Sequence, residues 1–415
     1  MFKRYYIGFL LLIIFSACSR NPLLLHNISH EDSNYITKID RPQDYKYPCR
    51  SSDNYVPYPE DSLIKSRTIR VNVHFIDSTS AKYNIPEPKA ETWAYHMIEN
   101  ANFRLRTNEQ MNLPEGNETP CIPANYQYRL WKDDSTGLSV HYHYDDELYY
   151  MLTKGSGANN YDRKVINKYR IGEDSILNIF ILPPHPDSIA TGRYVASRSG
   201  ISLGNSIKLT GPLSQGMKDW EMSTSVNHEA GHSFGLSHSW YKNDGCDDTP
   251  PNENCWSTME SGRCAGPTSN NMMDYNNSQM AITPCQLGKI NMVMSDSRNT
   301  RRKLLVKDWC VKSSDVPITI HEDTSWKGYR DIDRDIIVES GTLSIYCKVS
   351  MAQGTKITIM PGATLTLLDA ELYNDCGFQW EGIEVVQSKK EIGKFLMTGN
   401  AKISDIREKE DIMNK

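Results

Sequence analysis

Residues 228–238 read His-Glu-Ala-Gly-His-Ser-Phe-Gly-Leu-Ser-His, and this stretch constrains the chain more than any other. His228 and His232 are four apart, so on a helix they share one face and can ligate one ion. Glu229 follows the first ligand and can serve as a general base toward a water in that ion's open position. Gly235 can take a left-handed conformation and end the helix, so that the chain turns back and presents His238 as a third ligand. Three neutral imidazoles leave the fourth position of a tetrahedral zinc free, which is the donor set of a catalytic rather than a structural site.

The extended pattern H-E-x-x-H-x-x-G-x-x-H resembles that of the metzincin clan of zinc metallopeptidases. Downstream, Asn271-Met272-Met273-Asp274-Tyr275 is similar to the methionine turn of that clan, in the form found in the pappalysin family, and Gly245-Cys246 followed by Asp248-Thr249-Pro250 adds to the likeness. The resemblance is specific over 226–288, looser over 65–225 and absent from the C-terminal hundred residues. It implies a zinc cofactor and hydrolysis of peptide bonds by a zinc-bound water that Glu229 activates. It also implies Met273 beneath the metal and the Tyr275 phenol as a donor to the oxyanion. The fold it implies is α+β, a metzincin catalytic domain with a twisted mixed sheet and a zinc helix. Cysteines pair alternately in these relatives, which predicts Cys246–Cys264 and Cys255–Cys285. Asp247 and Asp248 stand in a contracted version of a segment that helps build calcium sites, so they are either calcium ligands or solvated turn residues. Arg-preferring relatives carry an acid between the methionine turn and the next cysteine. None lies between Tyr275 and Cys285 here, so a basic P1′ preference does not carry over.

The N-terminus reads as an export signal over 1–17: Lys3-Arg4, then an apolar run from Tyr5 to Phe15 that is short for a membrane span. Ser16-Ala17-Cys18 resembles the lipobox of bacterial lipoproteins, which predicts lipidation at Cys18. The partners implied are a peptide substrate and a membrane, and the location is the cell envelope, or the medium if the signal is simply cleaved. Cysteines outside the cytoplasm can oxidise. Without Cys18, nine of the ten remain, so at least one is left over. A net charge of −5 gives no case for nucleic acid.

The rest of the chain divides by pattern. Residues 18–64 are polar and aperiodic and read as a tether or pro-segment. Cys49 there either occupies the metal's open position as a latency switch or pairs with Cys121 or Cys310. Residues 65–308 carry the catalytic domain: strands at 67–76, 126–131, 138–144, 175–182 and 201–204, and helices at 89–106, 222–234 and 287–298. His141 and His143, two apart on one strand face, read as solvated. In the relatives an edge strand like 201–204 binds the substrate backbone. Residues 309–415 hold short alternating strands opened by glycines, as at Gly341, Gly354 and Gly362. They read as a small all-β region, either β-solenoid rungs or a sandwich. A rival reading makes the chain a surface-anchored binding protein with a vestigial protease domain, but a dead site has no need of Glu229.

Overall fold

The computed structural model describes residues 23–28, 33–59, 63–191, 200–213, 216–240 and 243–407. The signal-like residues 1–17 and Cys18 lie outside them. Two hydrophobic cores organise the chain, one around a sheet with helices and one inside a stack of short strands.

Two short strands come first, β1 (Leu24–Ile28) and β2 (Ile36–Ile39). The first core is built on β3 (Arg67–Asp77), β4 (Tyr126–Leu130), β5 (Val140–Tyr144), β6 (Leu177–Leu182), β7 (Gly200–Ser202) and β8 (Ser206–Thr210). Its order is β4-β3-β6-β8-β7, with β5 also on β3. All pairs are parallel except β7 on β8. β6 and β8 are buried at every position, as strands covered on both faces must be. Helix α1 (Glu87–Arg106) buries Ala90, Ala94, Met97, Ile98, Ala101 and Leu105, a stripe at helical spacing, against this sheet and the histidine-bearing helix. Two short helices, α2 (Lys164–Tyr169) and α3 (Pro186–Thr191), flank β6; α4 (Asp219–Ser233) carries the histidines and α5 (Pro284–Ser295) closes the unit. β8 was not foreseen: Ser206-Ile-Lys-Leu-Thr has too few apolar residues to announce a buried strand. Nor are the β5 histidines solvated. His141 is buried and its Nε2 donates to Asn72 Oδ1 (2.8 Å), and His143 stacks with buried His74, itself against Phe180. Burial pushes His74 down to about 3 and His143 to about 4, so the group stays neutral.

Beyond Cys310, twelve strands form four rungs of three: β9 (Ile318–Ile320), β10 (Thr324–Trp326) and β11 (Arg330–Ile332); β12 (Ile336–Val338), β13 (Thr342–Ile345) and β14 (Val349–Met351); β15 (Ile357–Ile359), β16 (Thr364–Leu367) and β17 (Glu371–Tyr373); β18 (Ile383–Gln387), β19 (Lys394–Thr398) and β20 (Lys402–Ile403). Each pairs in parallel with its counterpart on the next rung, which gives a solenoid and not a sandwich. Ile318, Ile336, Ile357 and Ile383 stand in register as one inward ladder, and Leu343, Leu365 and Phe395 as another. Gly341 (φ 69°) opens β13 where an added Cβ would lie 2.7 Å from the Glu322 carbonyl carbon.

The segment expected to be an unstructured tether is built into the fold. β1 pairs antiparallel with β18 and sets Ile28 against Ile383, and β2 pairs in parallel with β19. Together they cap two of the three faces of the last rung. The chain then runs back along the solenoid, where Cys49 bonds to Cys347 and so cannot reach the metal site. The Tyr55 hydroxyl donates to the Cys49 carbonyl and accepts the Tyr329 N–H, and Ser52 packs on Gly288 of α5. Neither pairing suggested for Cys49 occurs. Cys347 is 298 residues away and the partner strands farther still, as with Ile28 and Ile383, and nothing local marks them.

Four disulfides are present among the described residues. The alternating pattern is corrected: Cys246 bonds to Cys285 and Cys255 to Cys264. A hairpin bridge, with the Met259 N–H on the Cys264 carbonyl, brings the near pair together. Cys310–Cys376 ties the sheet unit to the solenoid, and Cys121 is exposed and unpaired among the described residues. Between the two units lies a buried charge cluster. Asp331 on β11 accepts from Arg67 at the start of β3 and from Arg302 (2.7 Å), and Arg302 also reaches Asp375 (2.8 Å). Trp309 lies under both guanidiniums. The two arginines hold the Asp331 carboxyl below its ordinary value despite burial, so its contribution is full at neutral pH and is lost as pH falls below that range. Asp331→Ala leaves Arg67 without its carboxylate partner and is expected to cost about 3–5 kcal/mol. Urea unfolding at neutral pH measures this, and a loss within error of zero would contradict it.

Candidate active site

Helix α4 places the histidines by packing Met222, Val226, Ala230 and Phe234 into the sheet core, which turns the opposite face toward a cleft of about 600 Å³. Glu221 accepts the Lys218 N–H (2.8 Å) at its start. At its end Gly235 (φ 92°) donates to the His232 carbonyl and Leu236 to that of Gly231, the pair of bonds that closes a helix through a left-handed glycine. This turn brings His238 to the other two. His232 Nε2 and His238 Nε2 lie 3.1 Å apart. Two nitrogens on one tetrahedral zinc lie about 3.3 Å apart, given bonds near 2.0–2.1 Å.

The tautomers are fixed from behind. His228 Nδ1 donates to the Met272 carbonyl and His232 Nδ1 to that of Leu236, both at 2.8 Å. A neutral imidazole with its proton on Nδ1 presents a bare lone pair at Nε2, the state a metal requires. Burial lowers all three imidazoles, His228 to about 3 and His238 to about 4, so they are neutral at physiological pH. The donor set, its geometry and its protonation fit zinc.

Met273 is fully buried directly beneath the helix: a Cβ on Gly231 would lie 2.5 Å from its sulfur. Its turn is held by side chains. Asn271 accepts the Met273 N–H (2.8 Å) and exchanges two bonds with Gln286, while Asp274 accepts from Ser239 (2.6 Å) and Asn252 (2.9 Å). Tyr275 follows, half-exposed, with its ring 4.7 Å from that of His238 and 5.7 Å from that of His228. Glu229 is buried at the back of the cleft beside β7. Burial pushes its carboxyl up to about 8, opposed by the Ser202 N–H, and a nearby cation would pull it down again.

Asp247 and Asp248 lie apart from this cluster. Asp248 accepts from Thr283 Oγ1 (2.8 Å) and the Cys285 N–H (3.0 Å), which caps the start of α5, and Asp247 is exposed on the adjacent turn. The hydrogen bonds that Asp248 accepts account for its place, and calcium has no support at either residue.

Several cleft residues were not foreseen. Ser225 lies one turn before His228, Gln279 donates to the Asp274 carbonyl (2.7 Å) beside His228, and Trp256, Thr153, Lys154, Asn160 and Tyr161 come from loops. Buried Lys208 of β8 holds the last of these loops, donating to the carbonyls of Asn159 (2.8 Å) and Asp162 (2.7 Å). No sequence pattern marks them. Gly231 did leave a signal, since a glycine inside a helix costs about 1 kcal/mol and asks for a packing reason.

No family model matches this chain, and no curated protein matches it. Solved structures that overlap it include mirolysin in complex with compound 9 (16% identity, TM-score 0.42) and Tannerella forsythia mature mirolysin in complex with a cleaved peptide (15%, TM-score 0.40). Each overlap covers 58% of this chain and 96% of the other. Likenesses this loose carry no functional argument.

Gly200 on β7 faces Glu229 so closely that a Cβ would lie 2.5 Å from Oε1 and 2.8 Å from Leu209 Cδ2. Gly200→Ala should therefore displace the carboxylate while leaving the three imidazoles in place. A displacement near 1 Å lowers kcat by about 10²-fold. Metal content should stay at the wild-type value, and unchanged turnover would show that Glu229 does not need this contact.

Proposed function

We propose that this chain is an exported, lipid-anchored zinc endopeptidase of the metzincin clan, similar to pappalysins. The observation that carries the reading is the convergence of the His228, His232 and His238 ring nitrogens, two of them tautomer-locked by backbone carbonyls, beside a buried Glu229 in an open cleft. Zinc, when bound, polarises the scissile carbonyl and makes water acidic near neutral pH. The substrate backbone lies antiparallel along the outer edge of β7, which ends its sheet. Glu229 takes the proton of the attacking water and passes it to the leaving amine. The Tyr275 hydroxyl donates to the developing oxyanion. Glu229 is the only carboxylate among the described cleft residues, and Lys154 is the other charged lining group, so the cleft offers no acid to a basic P1′ side chain. The export signal and Cys18 support placement at the cell envelope.

The purified chain should hold about one zinc, lost in His228→Ala or His232→Ala. Glu229→Ala should keep zinc and lose nearly all peptide cleavage. A folded wild-type chain that binds no zinc overturns the reading.

Tyr275→Phe should keep zinc and fold and lose a bond made in the transition state, so kcat should fall by about 10²–10³ with little change in KM. Near-normal kcat in steady-state kinetics would reduce Tyr275 to packing around the histidines.

A further inference from the structure

β1 is the outermost strand of its sheet, and Leu23, Leu24 and Leu25 at its start are 53%, 56% and 59% exposed. Neighbouring residues of a strand point to opposite faces, so three exposed leucines in a row mean that the described residues cover neither face here. Proteins blunt such edges with charge or proline; Pro22 precedes this one, but Leu23, Leu24 and Leu25 themselves are apolar and uncharged.

The antiparallel register sets Leu24 opposite Gln387 and Leu25 opposite Val386. Leu23 therefore lies alongside Ser388, where the Ser388 N–H on the Glu391 carbonyl (2.8 Å) closes a turn. Lys389 and Lys390 are exposed at its tip, with Glu391 the one acid in the turn. An apolar cluster rimmed by lysines has the chemistry of a surface that enters the headgroup layer of an anionic bilayer. Cys18 precedes Leu23 by five residues, so at about 3.3–3.6 Å per residue an anchored Cys18 would hold Leu23 within about 17 Å of the membrane.

We propose that Leu23, Leu24 and Leu25, with Lys389 and Lys390, form a lipid-contact surface that lays the capped end of the solenoid on the membrane. This deepens the anchored reading and rests on it for the presence of a bilayer. The patch fixes an orientation, which a lone flexible anchor does not.

The test uses the exported chain with Cys18→Ser, which removes the acyl group, in co-sedimentation with phosphatidylcholine vesicles with and without phosphatidylglycerol. The unlipidated chain should bind the anionic vesicles. The triple change Leu23→Ser, Leu24→Ser and Leu25→Ser should weaken binding at least about tenfold. Lys389→Glu with Lys390→Glu should remove the preference for phosphatidylglycerol. Peptide cleavage and thermal melting of these variants should match the parent, since none touches the cleft. Absence of vesicle binding by the Cys18→Ser chain overturns the proposal, as does equal binding by all variants. So does a dimer that the leucine changes dissolve without any vesicle binding, because a second copy then covers the edge. Fatty-acid labelling of the wild type at Cys18 reports the anchor separately: a labelled chain whose leucine variants bind vesicles like the parent keeps the anchor and loses the patch.

Discussion

Two hydrogen bonds from imidazole to backbone organise this site: His228 Nδ1 to the Met272 carbonyl and His232 Nδ1 to the Leu236 carbonyl. Each uses the far side of a ring to aim the near side. They also require that the carbonyls be in place, and this requirement runs outward through the structure. The Leu236 carbonyl is set by the left-handed Gly235, and that of Met272 by the Asn271 and Gln286 amides. Buried lone pairs pointed at one another are unfavourable alone. A shared cation turns that cost into binding energy, so rigidity behind the rings becomes affinity in front of them.

Close approach is the second constraint, and glycine meets it. Gly231 lets the methionine sulfur sit under the helix, and Gly200 lets β7 pass against Glu229. The helix gives up about 1 kcal/mol of propensity at Gly231. In return the methionine fills a fully buried space below the ligands. A void there would cost more, since large-to-small changes in cores cost about 2–5 kcal/mol for Met to Ala.

The features legible in the sequence were those whose determinants are local. Helix α4 and its three histidines follow from spacing over eleven residues. Strand β3 follows from β-branched alternation over 67–76 and β6 from the largely apolar stretch 175–182, and the rungs of the solenoid follow from glycine-opened alternation. What escaped was set at long range. β8 reads polar because its lysine is buried by carbonyls from a distant loop, as Lys208 shows. Residues 24–39 read as a tether because the strands they join come from the other end of the chain. The alternating disulfides were inferred from relatives with a longer loop. In the contracted loop here, Cys255 and Cys264 close their own hairpin, and Cys246 is left facing Cys285.

The solenoid and the sheet unit are joined so as to resist rotation. Cys49–Cys347 and Cys310–Cys376 link them covalently, Cys347 at the β13–β14 corner of the second rung and Cys376 just past β17 of the third. Between them Asp331 is held by two arginines, one at the root of β3 and one just past α5. A buried ion pair is a poor source of net stability, but a mispaired one is severely penalised, so such a cluster selects one docking geometry over its neighbours. Arg67 begins the strand on which β4, β5 and β6 all pair. The position of the solenoid is thereby fixed to the sheet that carries the cleft-lining edge strand, with no flexible linker between them among the described residues. Whatever holds the capped end of the solenoid consequently sets the direction in which the cleft opens.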